Sequence, residues 1–213
     1  MKRKVILIDL DNVVYDWVQA MAYWLYKNKV FNFTGRILEF PEGKVREFIK
    51  GKDLVVPTAM HLYKSWEVWE DWGIPKGEFI RWWRLGIEQG VIYAKGYIIH
   101  GAREALWQLS DAEWDIHIAT NRLTKFGLHD KIVENTVSWL RDNNIPYRQL
   151  SFVSDKKVIF ADAIIDDRKD NMDWSGDFHG HCFPFPANHN TDRGVTELEQ
   201  KLAWKQIVEA LVG

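Results

Sequence analysis

A single cysteine, Cys182, excludes any intramolecular disulfide and fits a reducing compartment. Its expected role is that of a small buried hydrophobe on a late strand. No apolar run approaches the roughly 18 residues that a membrane span requires. The start, "MKRKVILIDLD", is basic, but its apolar run is too short for a signal peptide and ends in acids. A cytoplasmic protein is therefore expected. There is also no basic surplus. The formal net charge of -2 argues against a general nucleic-acid binder, so no extended nucleic-acid partner is expected. Repeats and low-complexity segments are absent too. With 46% hydrophobic and 27% charged residues, the composition is that of a globular chain. What it has in excess is tryptophan, 12 in 213 residues.

"VILI" at Val5–Ile8 reads as a buried strand running into Asp9 and Asp11, and residues 15–28 then follow helical spacing. Between residues 30 and 90 no strand pattern is convincing. "PEGKVREFIKGKD", "TAMHLYKSWEVWEDWG" and "PKGEFIRWWRLGIEQG" each read as a helix ending near glycine. After residue 92 helices and strands alternate. A helix is expected over "HGAREALWQLSDA" and a strand over "WDIHIAT". A helix follows with Ile132, Val133, Val137 and Leu140 on one side. Strands are then expected at "RQLSFVS", "ADAIIDD" and "DFHGHCFPF", before a closing helix with "LAWKQIVEAL". Such alternation predicts an α/β fold, a Rossmann-like parallel sheet with helices on both faces. Residues 1–28 and 92–213 form its core, and residues 29–91 form a helical cap inserted after the first strand–helix unit.

In parallel sheets of this kind the site lies beyond the carboxyl ends of the strands. Asp9 and Asp11, Thr120 and Asn121, and Asp166 and Asp167 all occupy such ends. Strand alternation would aim Asp9 and Asp11 at one region of space. Converging carboxylates repel one another unless a cation joins them, and an oxygen-lined site with a phosphate substrate suits Mg²⁺. One carboxylate can serve as nucleophile, a second as acid and base, and a hydroxyl and a lysine can steady the phosphoryl oxygens. Taken singly, "DLD" is an Asx turn, "DD" a helix cap and Thr120 unremarkable. Their conjunction, in order along the chain, points to phosphate chemistry.

The same residues resemble the motifs of the haloacid dehalogenase-like phosphohydrolases: "DLDNV", "IATNR" and "IIDD". "DLDNVVYDW" and "SDKKVIFADAIIDDRKDN" are further similar to segments of the 5'(3')-deoxyribonucleotidases. That resemblance implies Asp9 as nucleophile and Asp11 as general acid and base. It implies Thr120, Asn121 and Lys156 at the phosphate, with Lys131 and Lys125 as rival lysines. Asp9, Asp11 (through its backbone carbonyl) and Asp167 would hold Mg²⁺, with Asp166 supporting. Three positions depart from the family pattern. Asn12 stands where glycine is usual, Asn121 where serine is, and Arg122 where proline is. Asn12 should be tolerated, since asparagine enters left-handed conformations readily.

Trp66, Trp69, Trp72, Trp82 and Trp83 lie in the cap, where aromatic stripes are usually packing. Trp17, matching the family's stacking phenylalanine, is the leading contact for a substrate base, followed by Trp82 or Trp83. His179 and His181 are set aside as structural. The expected activity is Mg²⁺-dependent hydrolysis of (deoxy)nucleoside 5'-monophosphates through an aspartyl-phosphate. The alternatives are a phosphatase of the same fold acting on another small ester or a nucleic-acid end, and a non-catalytic binding module.

Overall fold

A computed structural model describes residues 3–28, 30, 65, 67–122, 127–172, 180–191 and 194–213. Five strands form one parallel sheet: β1 (Val5–Ile8), β2 (Asp115–Thr120), β3 (Gln149–Phe152), β4 (Ala163–Asp166) and β5 (His181–Pro184). Their spatial order is β3-β2-β1-β4-β5. The chain therefore leaves β1 toward one edge of the sheet and β4 toward the other, and the crevice between such strands is where parallel sheets bind ligands. Ile8 pairs with Ile118 on one side and with Ile165 on the other.

Among the described residues six α-helices accompany the sheet: α1 (Trp17–Lys27), α2 (Val68–Asp71), α3 (Lys76–Glu88), α4 (Ala102–Asp111), α5 (His129–Asp142) and α6 (Glu197–Val212). Helix α1 starts where it does because the Asp16 carboxylate accepts the Gln19 N–H at 2.9 Å. A reciprocal Thr196–Glu199 capping box opens α6. Alternation along the strands separates two cores. Ile6, Ile8, Ile116, Ile118, Ala163 and Ile165 join the larger one, to which α1, α4, α5 and α6 contribute Met21, Leu106, Leu140 and Trp204. Leu7, Ala119, Ala161 and Ile164 form a smaller cluster on the opposite face. Residues from the segments after β3 and β4, among them Ile159 and Met172, cover it.

Several expectations change. Strand β1 ends at Ile8, so strand alternation does not govern Asp9 and Asp11. Instead the chain turns, with Asn12 at φ 61°, the left-handed conformation expected of a residue replacing glycine. The buried side of α5 is Ile132, Asn135, Thr136, Trp139 and Leu140, whereas Val137 is exposed. A polar pair displaces the expected apolar stripe because both side chains have buried partners. Cys182 is exposed, since β5 is the sheet's outer strand. Of the helix expected over residues 58–73, only α2 falls within the described residues. The helix expected over residues 41–53, together with Trp66, Lys125 and His179, lies outside them.

Hydrogen bonds help tie the helices between α1 and α4 to the rest. The Trp24 indole donates to the Trp82 carbonyl at 2.7 Å. The Asn135 amide donates to the carbonyls of Ile87 and Ile92 at 2.9 and 3.1 Å, pinning the end of α3 to α5.

Candidate active site

Asp9 follows β1 and its N–H donates to the Ile165 carbonyl of β4 at 2.9 Å, which sets it level with Asp166. Lys156, in a short 3₁₀ turn over Lys156–Val158, lies between them. Its ammonium is 2.6 Å from Asp9 Oδ1 and 2.6 Å from Asp166 Oδ2. Asp166 is otherwise saturated, accepting from the Arg168 N–H and from the Asn171 amide. Asp167 differs. Neither of its oxygens reaches hydrogen-bond geometry with a described donor, although it is fully buried. Oxygens of Asp9, Asp166 and Asp167 all lie within 4.8 Å of one another.

Three buried carboxylates against one ammonium leave the site short of positive charge. Burial raises Asp9 to about 7; Lys156 pulls the other way, and Asp166 and Asp11 add to the rise. Burial likewise pushes Asp167 well above the usual carboxylate range, with Asp9 and Asp166 reinforcing it and the nearby Asn12 side chain easing it slightly. Lys156 is held above the ordinary lysine value, because Asp9 and Asp166 outweigh its burial. An all-oxygen donor set in which Asp167 accepts no hydrogen bond from a described donor, its Oδ2 only 3.6 Å from His189 Nε2, fits a hard divalent cation. Next to it, the Asn190 amide donates to the Asp167 carbonyl at 2.7 Å, and the His189 ring nitrogen lies 3.2 Å from the same oxygen. Burial lowers His189 to about 4, so its imidazole is neutral and adds no charge.

Asp11 turns away from this cluster. Arg122 Nη2 donates to its Oδ1 at 2.7 Å and Nε to its Oδ2 at 3.0 Å. Thr120, the buried last residue of β2, has its hydroxyl 3.4 Å from Asp11 Oδ2, a weak contact that leaves the hydroxyl available. Asn121 is exposed at the same strand end. Lys131 sits on the surface of α5, paired with Glu134 at 2.7 Å, so of the described lysines only Lys156 joins the acids.

Trp17 begins α1 and is largely buried, its ring 5.5 Å from that of Trp83 and 6.3 Å from that of Phe79. Tyr93 borders Arg122, whose guanidinium carbon lies 4.1 Å from its ring centre. Trp82 faces elsewhere, toward Trp24 and Arg81. The structure thus brings Trp17 and Trp83 together and leaves Trp82 apart. His181 is exposed on β5. Sequence reasoning missed Arg122 as a partner of Asp11, and missed Asn171, His189 and Asn190. Asn171 follows "IIDD" by only a few residues, and Arg122 follows Thr120 by two. Nothing local marks His189 or Asn190, which reach Asp167 from a turn after β5.

The family model described as "5' nucleotidase, deoxy (Pyrimidine), cytosolic type C protein" matches residues 59–212. That match begins after α1, so the placement of Asp9 and Asp11 rests on the geometry above. A "Putative 5'(3')-deoxyribonucleotidase" of Chlorobaculum tepidum is 32% identical over 149 residues, covering 69% of this chain and 71% of that one. Among solved structures, a hydrolase from Streptococcus pneumoniae TIGR4 superposes with a TM-score of 0.52 over 88% of this chain and 95% of its own, at 11% identity. At that identity the likeness is one of fold. Among the described residues, no helix is long and apolar enough to cross a membrane.

Proposed function

The chain belongs to the 5' nucleotidase, deoxy (pyrimidine), cytosolic type C family, and from that premise we propose a phosphomonoesterase that hydrolyses (deoxy)nucleoside 5'-monophosphates through an aspartyl-phosphate on Asp9. The observation that carries this reading is the buried Asp9–Asp166–Asp167 cluster with Lys156 between two of its members.

Asp9, and Asp167 through its carboxylate oxygens, would hold Mg²⁺ with the Asp11 backbone carbonyl; Asp166, already saturated, supports Lys156. The metal would supply positive charge that offsets repulsion between an anionic nucleophile and an anionic phosphate. An Asp9 oxygen attacks phosphorus while the ester P–O bond breaks, and the departing 5'-oxygen takes its proton from Asp11. Water then attacks the same phosphorus and gives its proton to Asp11. The bond between phosphorus and the Asp9 oxygen breaks, returning Asp9 as a carboxylate and releasing inorganic phosphate. Lys156, the Thr120 hydroxyl and Asn121 bind the phosphoryl oxygens. Trp17 and Trp83, adjacent in space, supply the aromatic surface for the base.

The test is hydrolysis of a panel of nucleoside monophosphates, sugar phosphates and phosphoamino acids with Mg²⁺ present, by wild type and Asp9→Asn. A nucleoside monophosphate should be the preferred substrate, and Asp9→Asn should be inactive with an unchanged melting profile. Full activity of Asp9→Asn would remove the covalent mechanism, and preference for a non-nucleotide ester would remove the substrate class.

A further inference from the structure

Arg122 is the least expected charged group in the molecule, because its side chain is fully buried. Burying a guanidinium is costly unless every donor direction is answered. Here the answers are specific. Nη2 and Nε grip Asp11, and Nη1 donates to the Thr136 hydroxyl of α5 at 2.9 Å. The guanidinium carbon also lies 4.7 Å from the Tyr15 ring centre and 4.1 Å from that of Tyr93. Tyr93 reaches this place with φ at 69°, a left-handed conformation that is unfavourable for a bulky residue. The loop is fastened there by the Tyr15 hydroxyl, which donates to the Lys95 carbonyl at 2.8 Å and accepts the Tyr93 N–H at 3.1 Å. Four residues from three parts of the chain therefore converge on one fork, and among the described residues its anionic contact is Asp11.

Resting on the mechanism above, we propose that Arg122 is the positioning residue for Asp11: held by Tyr15, Tyr93 and Thr136, it fixes the Asp11 carboxylate where that group exchanges protons with the leaving oxygen and with water. The grip is unequal. Oδ1 takes the short 2.7 Å contact, and Oδ2 is left with the Nε bond and the long approach of Thr120. Oδ2 is accordingly the less tightly held oxygen and the one on the Thr120 side. A bidentate fork restrains both torsions of an aspartate side chain, which a lone ammonium does not. Arg122 does not itself contact the phosphate, since its donors are directed to Asp11 and Thr136.

Leaving-group dependence separates this role from simple scaffolding. Departure of a nucleoside 5'-alkoxide needs a proton, whereas p-nitrophenolate leaves without one. In Arg122→Met, kcat/KM for the preferred nucleoside monophosphate should fall by roughly 10²-fold or more, and that for p-nitrophenyl phosphate by much less. The second step needs Asp11 as base for every substrate. The variant should therefore release a burst of p-nitrophenol about equal to enzyme, then turn over slowly. Intact-mass spectrometry of the quenched mixture should show phosphorylated protein. Arg122→Lys, which keeps charge but not the fork, should share the pattern. Thr136→Val, which removes only the Nη1 anchor, should show it in weaker form and carries the test should Arg122→Met not fold. Equal losses on both substrates without a burst, or no loss at all, would overturn the proposal. Absence of phosphoenzyme together with full activity in Asp9→Asn would instead overturn the aspartyl-phosphate mechanism, and the proposal with it.

Discussion

In the proposed mechanism Asp9 has to be ionised to attack phosphorus, yet its burial favours the neutral acid and raises it to about 7 in the metal-free protein. An acid whose folded-state pKa is raised binds more protons when folded than unfolded. Stability from this source is complete below about pH 4 and is lost as pH rises through about 7. Asp167 shifts in the same direction. The metal-free protein should therefore melt at a higher temperature at pH 5 than these two groups allow at pH 8. Added Mg²⁺ should raise the melting temperature more at pH 8 than at pH 5, and differential scanning fluorimetry at several Mg²⁺ concentrations measures both. An equal Mg²⁺ effect at the two pH values would contradict this account. Trp17→Ala tests a different residue. Loss of base stacking should lower kcat/KM for nucleotides by about fivefold to 150-fold, from ~1–3 kcal/mol, relative to p-nitrophenyl phosphate. The melting temperature should fall as well, since the ring also packs on Trp83 and Phe79.

Among the elements, the junction of α3 with α5 depends on one amide. Asn135→Leu would leave the Ile87 and Ile92 carbonyls without it, at about 1–3 kcal/mol, which urea unfolding should report as a lower midpoint at unchanged slope. Asn135 also shows why part of the fold was legible in the sequence and part was not. Strand ends carrying Asp9, Thr120, Asp166 and Asp167 announce themselves, because polar residues capping apolar runs have few local explanations. Helices α1, α4, α5 and α6 follow from apolar spacing and caps. Periodicity nevertheless assigned Val137 to the buried side of α5 and passed over Asn135 and Thr136. Each is inside only because of a partner distant in sequence, a carbonyl at 87 or a guanidinium at 122. Lys156 was marked only by the family resemblance of "SDKKVIFADAIIDDRKDN", with Lys131 and Lys125 as rivals, while Arg122 looked merely like a departure. Long-range polar pairing leaves no period to detect.

At the scale of the molecule, the two faces of the sheet are covered unequally. Among the described residues long helices pack on one, whereas the smaller cluster on the other is met by Val153, Ile159 and Met172, the last two directly following the short 3₁₀ turns at Lys156–Val158 and Lys169–Asn171. Val158 in the first turn and Phe160 just after it are strongly exposed, and Ile159 between them packs only partly buried on the smaller cluster. These same turns deliver Lys156 and Asn171 to the acids. Opening on that face should therefore separate Lys156 and Asn171 from the acids before the helical face unfolds. On slow heating, activity should disappear several degrees before the far-ultraviolet helical signal, and return on cooling. Amide protons of residues 156–160 should exchange well before those of α4 and α6. Coincident loss of activity and helix would mean the two faces open as one. For such an enzyme the working ceiling in temperature belongs to two short turns, and engineering its endurance would start there rather than among the helices.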